Sequence, residues 1–199
     1  MQQIVIASNN RGKLKEIEAL FVNQDISIVP QSSFDVPDAD ETGLSFVENA
    51  IIKSRHAATL TNLPAIADDS GIEVDILNGT PGIYSARYAG VGASDEENLN
   101  LLLENVKQTG VQKAIARFQC VMVYLRHAGD PTPLIAQGTW QGYIAPEPKG
   151  ENGFGYDPVF FVPDHDCTSA ELAPEVKNNI SHRGQALQLL LQKISAILD

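Results

Sequence analysis

In LPAIADDSG, Leu63 to Gly71, a short apolar run, Ala65-Ile66-Ala67, stands between Pro64 and a carboxylate pair followed by Ser70 and Gly71. Such a run reads as a buried strand that ends in a turn. Asp68 and Asp69 are then expected at the point where the strand stops. In open α/β sheets ligands bind at the carboxyl ends of strands, so two acids at such an edge are placed for chemistry. Side chains alternate between the faces of a strand, and two adjacent carboxylates therefore take different tasks. One is expected to project into a cleft as metal ligand or general base, while the other caps the turn or holds the first in place. Asp, Ser and Gly are also turn formers, and a plain turn accounts for the same four letters.

A chain of 199 residues fits one domain, residues 1–199, or one domain with a smaller lobe, and it can bury a sizeable core. The formal net charge of -11 speaks against a nucleic-acid or anionic-membrane binder, which needs a basic footprint. A phosphate-bearing substrate would need Lys and Arg gathered at one place, or a divalent cation held by carboxylates. Cys120 and Cys167 have neither C-x-x-C spacing nor His partners at zinc-like intervals, so no disulfide or zinc framework is expected. No apolar stretch has the length of a membrane span, and the cytoplasm is the expected compartment.

Upstream, QIVIAS (Gln3–Ser8) reads as a first strand and KLKEIEALF (Lys13–Phe21) as a helix with Leu14, Ile17, Leu20 and Phe21 on one stripe. The polar loop SNNRGK joins them. Strand, glycine-containing loop and helix make an anion-binding arrangement, because the N–H groups at a helix start are unsatisfied and the dipole there is positive. G-x-x-x-x-G-K-[ST] is absent, which sets a P-loop NTPase aside. Ile26 to Asp40 reads as irregular. A helix from about Ser45 to Leu60 opens with Ser45 and Glu48 in capping-box spacing, so Glu48 is a cap rather than a catalyst. Glu41, just before it, is free for a metal or simply solvated. Lys53 follows Asn49 by one turn, and the pair faces a cleft or solvent.

Downstream, IEVDIL (Ile72–Leu77) alternates as a strand, and Ser94 to Lys107 is a capped helix. IARFQCVMVYL (Ile115–Leu125) and LIAQGTWQGYI (Leu134–Ile144) form an antiparallel element beside the βα units, which predicts a mixed sheet. Trp140 reads as core or interface. In EPKGENGFGYDP (Glu147–Pro158) the glycines let the backbone approach a ligand on which an aromatic ring stacks. One helix is expected from Thr168 to about Val176, limited or bent by Pro174. The last begins near Ser181 with His182 and Arg183 in its first turn, where cations work against the dipole unless a ligand uses them. Lys177 lies just upstream and could join them.

Six motifs now stand in one order: SNNRGK, ETGLSFVENA, ADDSG, PGIYSARYAG, NGFGYDP and ISHRGQAL. Together they resemble the non-standard purine nucleoside triphosphate pyrophosphatases, the inosine triphosphatase (RdgB) family, from one end of the chain to the other. Asn152 stands where a Gly is common. The resemblance implies an α/β fold with a long, mixed, partly antiparallel sheet, helices on its faces and two lobes around a nucleotide cleft. It implies a homodimer that hydrolyses ITP, dITP and XTP to the monophosphate and pyrophosphate with Mg²⁺. By the same resemblance, Ser8, Asn9, Asn10, Arg11, Gly12 and Lys13 hold the triphosphate, Lys53 reaches the phosphates and Ser70 touches substrate. Asp69 is general base and metal-site carboxylate, and Glu41 is a metal ligand, directly or through water. Phe154, Gly155, Tyr156 and Asp157, with Lys177, His182 and Arg183, form the base and sugar pocket.

In that mechanism Lys13 and Lys53 stabilise the departing pyrophosphate. A buried donor from Arg183, His182 or Lys177 pairs with the purine 6-carbonyl and is left unpaired by the amino group of ATP. Two other readings stay open: a nucleotide-binding regulator without turnover, and a pyrophosphatase for modified pyrimidine triphosphates.

Overall fold

The structure is a computed structural model that describes residues 2–21 and 26–198. Seven strands form one mixed sheet. They are β1 (Gln2–Ile6), β2 (Ile26–Pro30), β3 (Ala65–Val74), β4 (Ala114–Leu125), β5 (Leu134–Ile144), β6 (Phe160–Val162) and β7 (Cys167–Thr168), in the order β2-β1-β3-β4-β5-β6-β7. β1 runs parallel to β2 and β3, whereas β6 is antiparallel to β5 and β7. The helices are α1 (Arg11–Phe21), α2 (Phe46–Thr61), α3 (Asp95–Gln108), α4 (Pro174–Ile180) and α5 (His182–Leu198). Among the described residues, no helix is long and apolar enough to cross a membrane.

The chain separates into two compact units. The first comprises Met1–Asp69, Cys120–Gly138 and Arg183–Asp199, the second Ser70–Gln119 and Thr139–His182. In the first unit the period-2 alternation of the strands sorts side chains between two helix layers. Ile4, Ile6, Ile66, Cys120, Met122 and Tyr124 pack with Ile17 of α1 and Leu187, Leu190 and Ile194 of α5. Val5, Ala7, Ala65 and Ala67 pack instead with Ala57 and Ala58 of α2. Leu20, Phe21 and Leu198, expected on buried stripes, have side chains outside the described residues. In the second unit Ile72, Val74, Phe118, Trp140 and Phe160 pack against Leu99, Leu102 and Val106 of α3. Trp140 is thus core.

The helix caps are as expected. Ser45 accepts from the Glu48 amide at the start of α2, and Ser94 and Glu97 complete a capping box on α3.

Four expectations are corrected. β3 does not stop at Asp68: it runs for ten residues through Asp-Asp-Ser-Gly into the stretch expected as a separate strand, and the chain turns only at Asp75–Leu77. The turn formers stay extended there because β3 lies inside the sheet, hydrogen-bonded between β1 and β4. Ile26–Pro30, expected to be irregular, is strand β2, which lies at the sheet edge where Pro30 is tolerated. The helix expected from Thr168 is two pieces. A 3-10 turn at Ser169–Glu171 with a Thr168–Glu171 capping box is followed by an extended break, and Pro174 then starts α4 instead of bending a longer helix. Finally, Arg11 and Gly12 belong to the first turn of α1, not to the loop before it.

Candidate functional site

The loop after β1 is organised by its own polar side chains. The Ser8 hydroxyl accepts from the Asn10 amide at 3.3 Å, and the Asn10 side chain accepts from the Lys13 amide at 3.0 Å. Asn10 therefore caps α1, and Lys13 is the third residue of the helix with its side chain free to turn toward the sheet. Asn9 donates to Asp38 Oδ1 at 2.8 Å, and Gln31 donates to the same oxygen at 2.9 Å. These bonds tie the loop to the acidic segment that leads to Glu41.

Strand parity assigns the two central carboxylates to different faces. Asp68 follows Ile66 onto the layer of α1 and α5, where Lys13 Nζ lies 2.9 Å and Arg183 Nη2 3.5 Å from its Oδ2. Arg183 in turn pairs with Glu16 on α1. Burial disfavours the charge on Asp68, but Lys13 and Arg183, with Lys53 adding to them, hold the carboxyl well below the usual range. The Arg183 guanidinium, penalised by burial, is kept charged by Asp68 and Glu16.

Asp69 follows Ala67 onto the layer of α2. Its Oδ1 lies 3.1 Å from Lys53 Nζ, and its Oδ2 accepts from Asn49 Nδ2 at 3.2 Å. Asn49 and Lys53 are four residues apart and reach the same carboxylate from successive turns of α2. Lys53 also pairs with Glu41 Oε1 at 2.9 Å, so one ammonium joins two carboxylates. Burial pushes the Asp69 carboxyl above its ordinary value against the pull of Lys53 and Lys13, and Glu41 adds to the rise. Lys53, penalised by burial, is held charged by Asp69, Asp68 and Glu41.

A second set of expected residues gathers in the second unit. Asp157 is buried, its Oδ2 accepting from Lys177 Nζ at 2.6 Å and the Phe154 amide at 2.9 Å, its Oδ1 from the Ser169 hydroxyl at 2.8 Å. Lys177 Nζ stands 5.3 Å above the half-buried Phe154 ring. Gly155 donates to Asp95 Oδ2 at 2.9 Å. The Tyr156 hydroxyl donates to the Ser85 carbonyl at 2.7 Å, which makes Tyr156 a buried anchor of this loop. The His182 ring stacks on Phe118 at 4.6 Å and 10°. Ser70 follows Asp69 in β3 and is half-buried.

Lys13, Glu41, Lys53, Asp69 and Arg183 thus fall in one unit, and Phe154, Gly155, Tyr156, Asp157, Lys177 and His182 in the other. Sequence reasoning missed Glu16, Ser169 and the bond from Asn49 to Asp69. For Asn49 the four-residue step to Lys53 was the available signal. Glu16 and Ser169 carried none, because their partners are remote or unremarkable in sequence. Cys120, whose thiol burial pushes up to about 12, is inert core.

Comparison with known proteins places this geometry in context. The model of the Ham1 family matches residues 4–193. The chain is 57% identical over 192 residues to a protein of Thioalkalivibrio sulfidiphilus named dITP/XTP pyrophosphatase, covering 96% of this chain and 98% of that one. It is 56% identical over 194 residues to the Escherichia coli K12 protein of the same name, covering 98% of each. Among solved structures, a HAM1 protein from Coxiella burnetii superposes with a TM-score of 0.92 at 50% identity, covering 98% of this chain and 100% of that chain. The Staphylococcus aureus Ham1 protein does so with a TM-score of 0.87 at 45% identity, again covering 98% and 100%.

Proposed function

Because the chain belongs to the Ham1 family, we propose that it hydrolyses non-standard purine nucleoside triphosphates, dITP, ITP and XTP, to the monophosphate and pyrophosphate, and so cleanses the nucleotide pool. Relatives more than half identical over nearly their whole length carry the name dITP/XTP pyrophosphatase. The observation that carries the reading is Asp69. It is a buried carboxylate with a raised proton affinity, gripped on both oxygens from α2 and joined through Lys53 to a second acid, Glu41. Binding alone does not call for a base so prepared.

The donor set suits Mg²⁺. Asp69 and Glu41 already share one cation, the Lys53 ammonium, and Mg²⁺ is commonly held by one or two carboxylates while phosphates and water complete its shell. Glu41 and Asp69 would hold it, and when bound it would neutralise phosphate charge and acidify water. For the chain's own residues, Asp69 takes the proton of the attacking water as the α–β anhydride breaks. Lys53, beside Asp69 and Glu41, and Lys13 stabilise the departing pyrophosphate. Ser8 to Lys13 hold the phosphates at the start of α1. Ser70 contacts substrate. Lys177, His182 and Arg183 donate toward the base and sugar, and Phe154 to Asp157 shape that pocket. The reading carries with it a cytoplasmic homodimer.

A panel of triphosphates with Mg²⁺, followed by pyrophosphate release, tests it. Turnover of dITP, ITP and XTP well above ATP and GTP is expected. Absence of turnover on every member would leave a nucleotide-binding regulator, and preference for modified pyrimidine triphosphates would move the substrate class.

A further inference from the structure

Asn49 has no place in the chemistry above, yet its side chain is fully buried and joins two segments that carry it. Its Oδ1 accepts from the Gly43 amide at 2.9 Å, and its Nδ2 donates to Asp69 Oδ2 at 3.2 Å. A backbone N–H can only donate and a carboxylate can only accept. The amide therefore has one workable orientation, because a flip would set N–H against N–H and oxygen against carboxylate. Gly43 is two residues beyond Glu41. A Cβ at Gly43 would lie 2.7 Å from Asn49 Oδ1 and 2.6 Å from Glu48 Cβ, so the loop backbone sits directly on α2 at this point.

We infer that Asn49 is a positioning residue: its amide fixes the rotation of the Asp69 carboxylate and, through Gly43, the place of the loop that brings Glu41 to it. Lys53 cannot do this work. It binds Asp69 Oδ1 and Glu41 through a flexible stem with rotatable donors. The planar amide of Asn49 is short and buried, and it sets one carboxylate oxygen by direction. The inference rests on the reading of Asp69 and Glu41 as the base and the metal-holding pair.

Three measurements on the full chain test it: kcat and KM for dITP with Mg²⁺, Mn²⁺ affinity and stoichiometry without nucleotide, and thermal unfolding. Asn49→Leu keeps the number and branching of side-chain heavy atoms, though it is bulkier, and removes both bonds. Loss of an outer partner of such a carboxylate typically costs about 10–100-fold in metal affinity or activity. The variant is therefore expected to lose about 10–100-fold in kcat per Mn²⁺-binding molecule, with KM within about threefold, and to bind Mn²⁺ more weakly. Asn49→Asp keeps the acceptor for Gly43 and deletes the donor to Asp69. Its carboxylate lies beside that of Asp69, so it is expected to lose kcat at least tenfold and to unfold below the wild-type temperature, and it serves if the leucine variant does not fold. A folded variant of either kind with wild-type kcat per binding molecule overturns the inference, as does wild-type Mn²⁺ affinity in Asn49→Leu. Should the wild-type chain turn over no triphosphate, the functional reading falls, while the Mn²⁺ comparison still decides the positioning role.

Discussion

Asp68 and Asp69 are neighbours in β3 and answer to different cations: Asp68 Oδ2 lies 2.9 Å from Lys13 Nζ, and Asp69 Oδ1 lies 3.1 Å from Lys53 Nζ. The pleat of the strand keeps the two pairs on opposite faces. One carboxylate is thereby held ionised as part of a buried ion cluster, and the other is left with a raised proton affinity. Substitutions at the two positions should fail in different ways.

Asp69→Asn keeps shape and removes the base. Turnover of dITP is expected to fall by about 10²–10⁴-fold, the usual worth of general base catalysis, while nucleotide binding by calorimetry persists. Near-normal turnover would dismiss Asp69 as the base.

Asp68→Asn removes the carboxylate that lies 2.9 Å from Lys13 Nζ and 3.5 Å from Nη2 of the buried Arg183, which keeps its pairing with Glu16. Removing one member of a buried pair costs about 3–5 kcal/mol, to be read from urea unfolding at pH 7. The folded-state affinity of Asp68 for a proton is below that of an unfolded Asp, near pH 3.9. Its stabilisation is therefore present above that pH and lost as pH falls through the folded value, so the gap between wild type and variant should close under acid. A gap that widens below pH 4 would contradict the ion pairing.

Lys53→Met leaves Glu41 and Asp69 facing each other without their shared ammonium. Two like charges raise each other's proton affinity. The acid limb of the rate profile, which requires ionised Asp69, should accordingly move to higher pH, and kcat at neutral pH should fall by about 10²–10³-fold. A profile between pH 5 and 9 whose acid limb keeps its place would show that Lys53 does not govern Asp69.

Gly43→Ala puts a methyl group 2.6 Å from Glu48 Cβ and 2.7 Å from Asn49 Oδ1. Overpacking of this kind costs about 1–3 kcal/mol, and the shift should reach Glu41 two residues away. Lower stability in urea accompanied by a raised Mg²⁺ requirement is the expected pair of results.

Lys177→Met removes the cation between Asp157 and the Phe154 ring. If Lys177 donates to the purine 6-carbonyl, discrimination of ITP over ATP should fall by about tenfold to over a hundredfold, since an unpaired buried donor costs about 1–3 kcal/mol. An unchanged ratio would take Lys177 out of base reading.

Much of this architecture was legible from local patterns. Ser45 with Glu48, and Ser94 with Glu97, announced the starts of α2 and α3, because a cap needs only residues three apart. The mixed sheet followed from βα units beside two long alternating strands. β2 escaped notice because ISIVP is short and ends in proline, and the break before Pro174 because the Thr168–Glu171 box looks the same before a helix as before a single turn. The error at Asp68-Asp69-Ser70-Gly71 is the informative one: local chemistry says turn, and pairing with β1 and β4, remote in sequence, makes it a strand.

The amino-acid sequence determined the class of fold, the capped helices, the polar loop before α1 and, through six ordered motifs, the family. Those signals are read over a few neighbouring residues, where periodicity and backbone preference operate. The tertiary structure decided which carboxylate meets which cation. Arg183 reaches Asp68 across 115 residues and Glu16 across 167, and the proton affinity of a buried acid is set by charges a few ångströms away in space, whatever their distance along the chain.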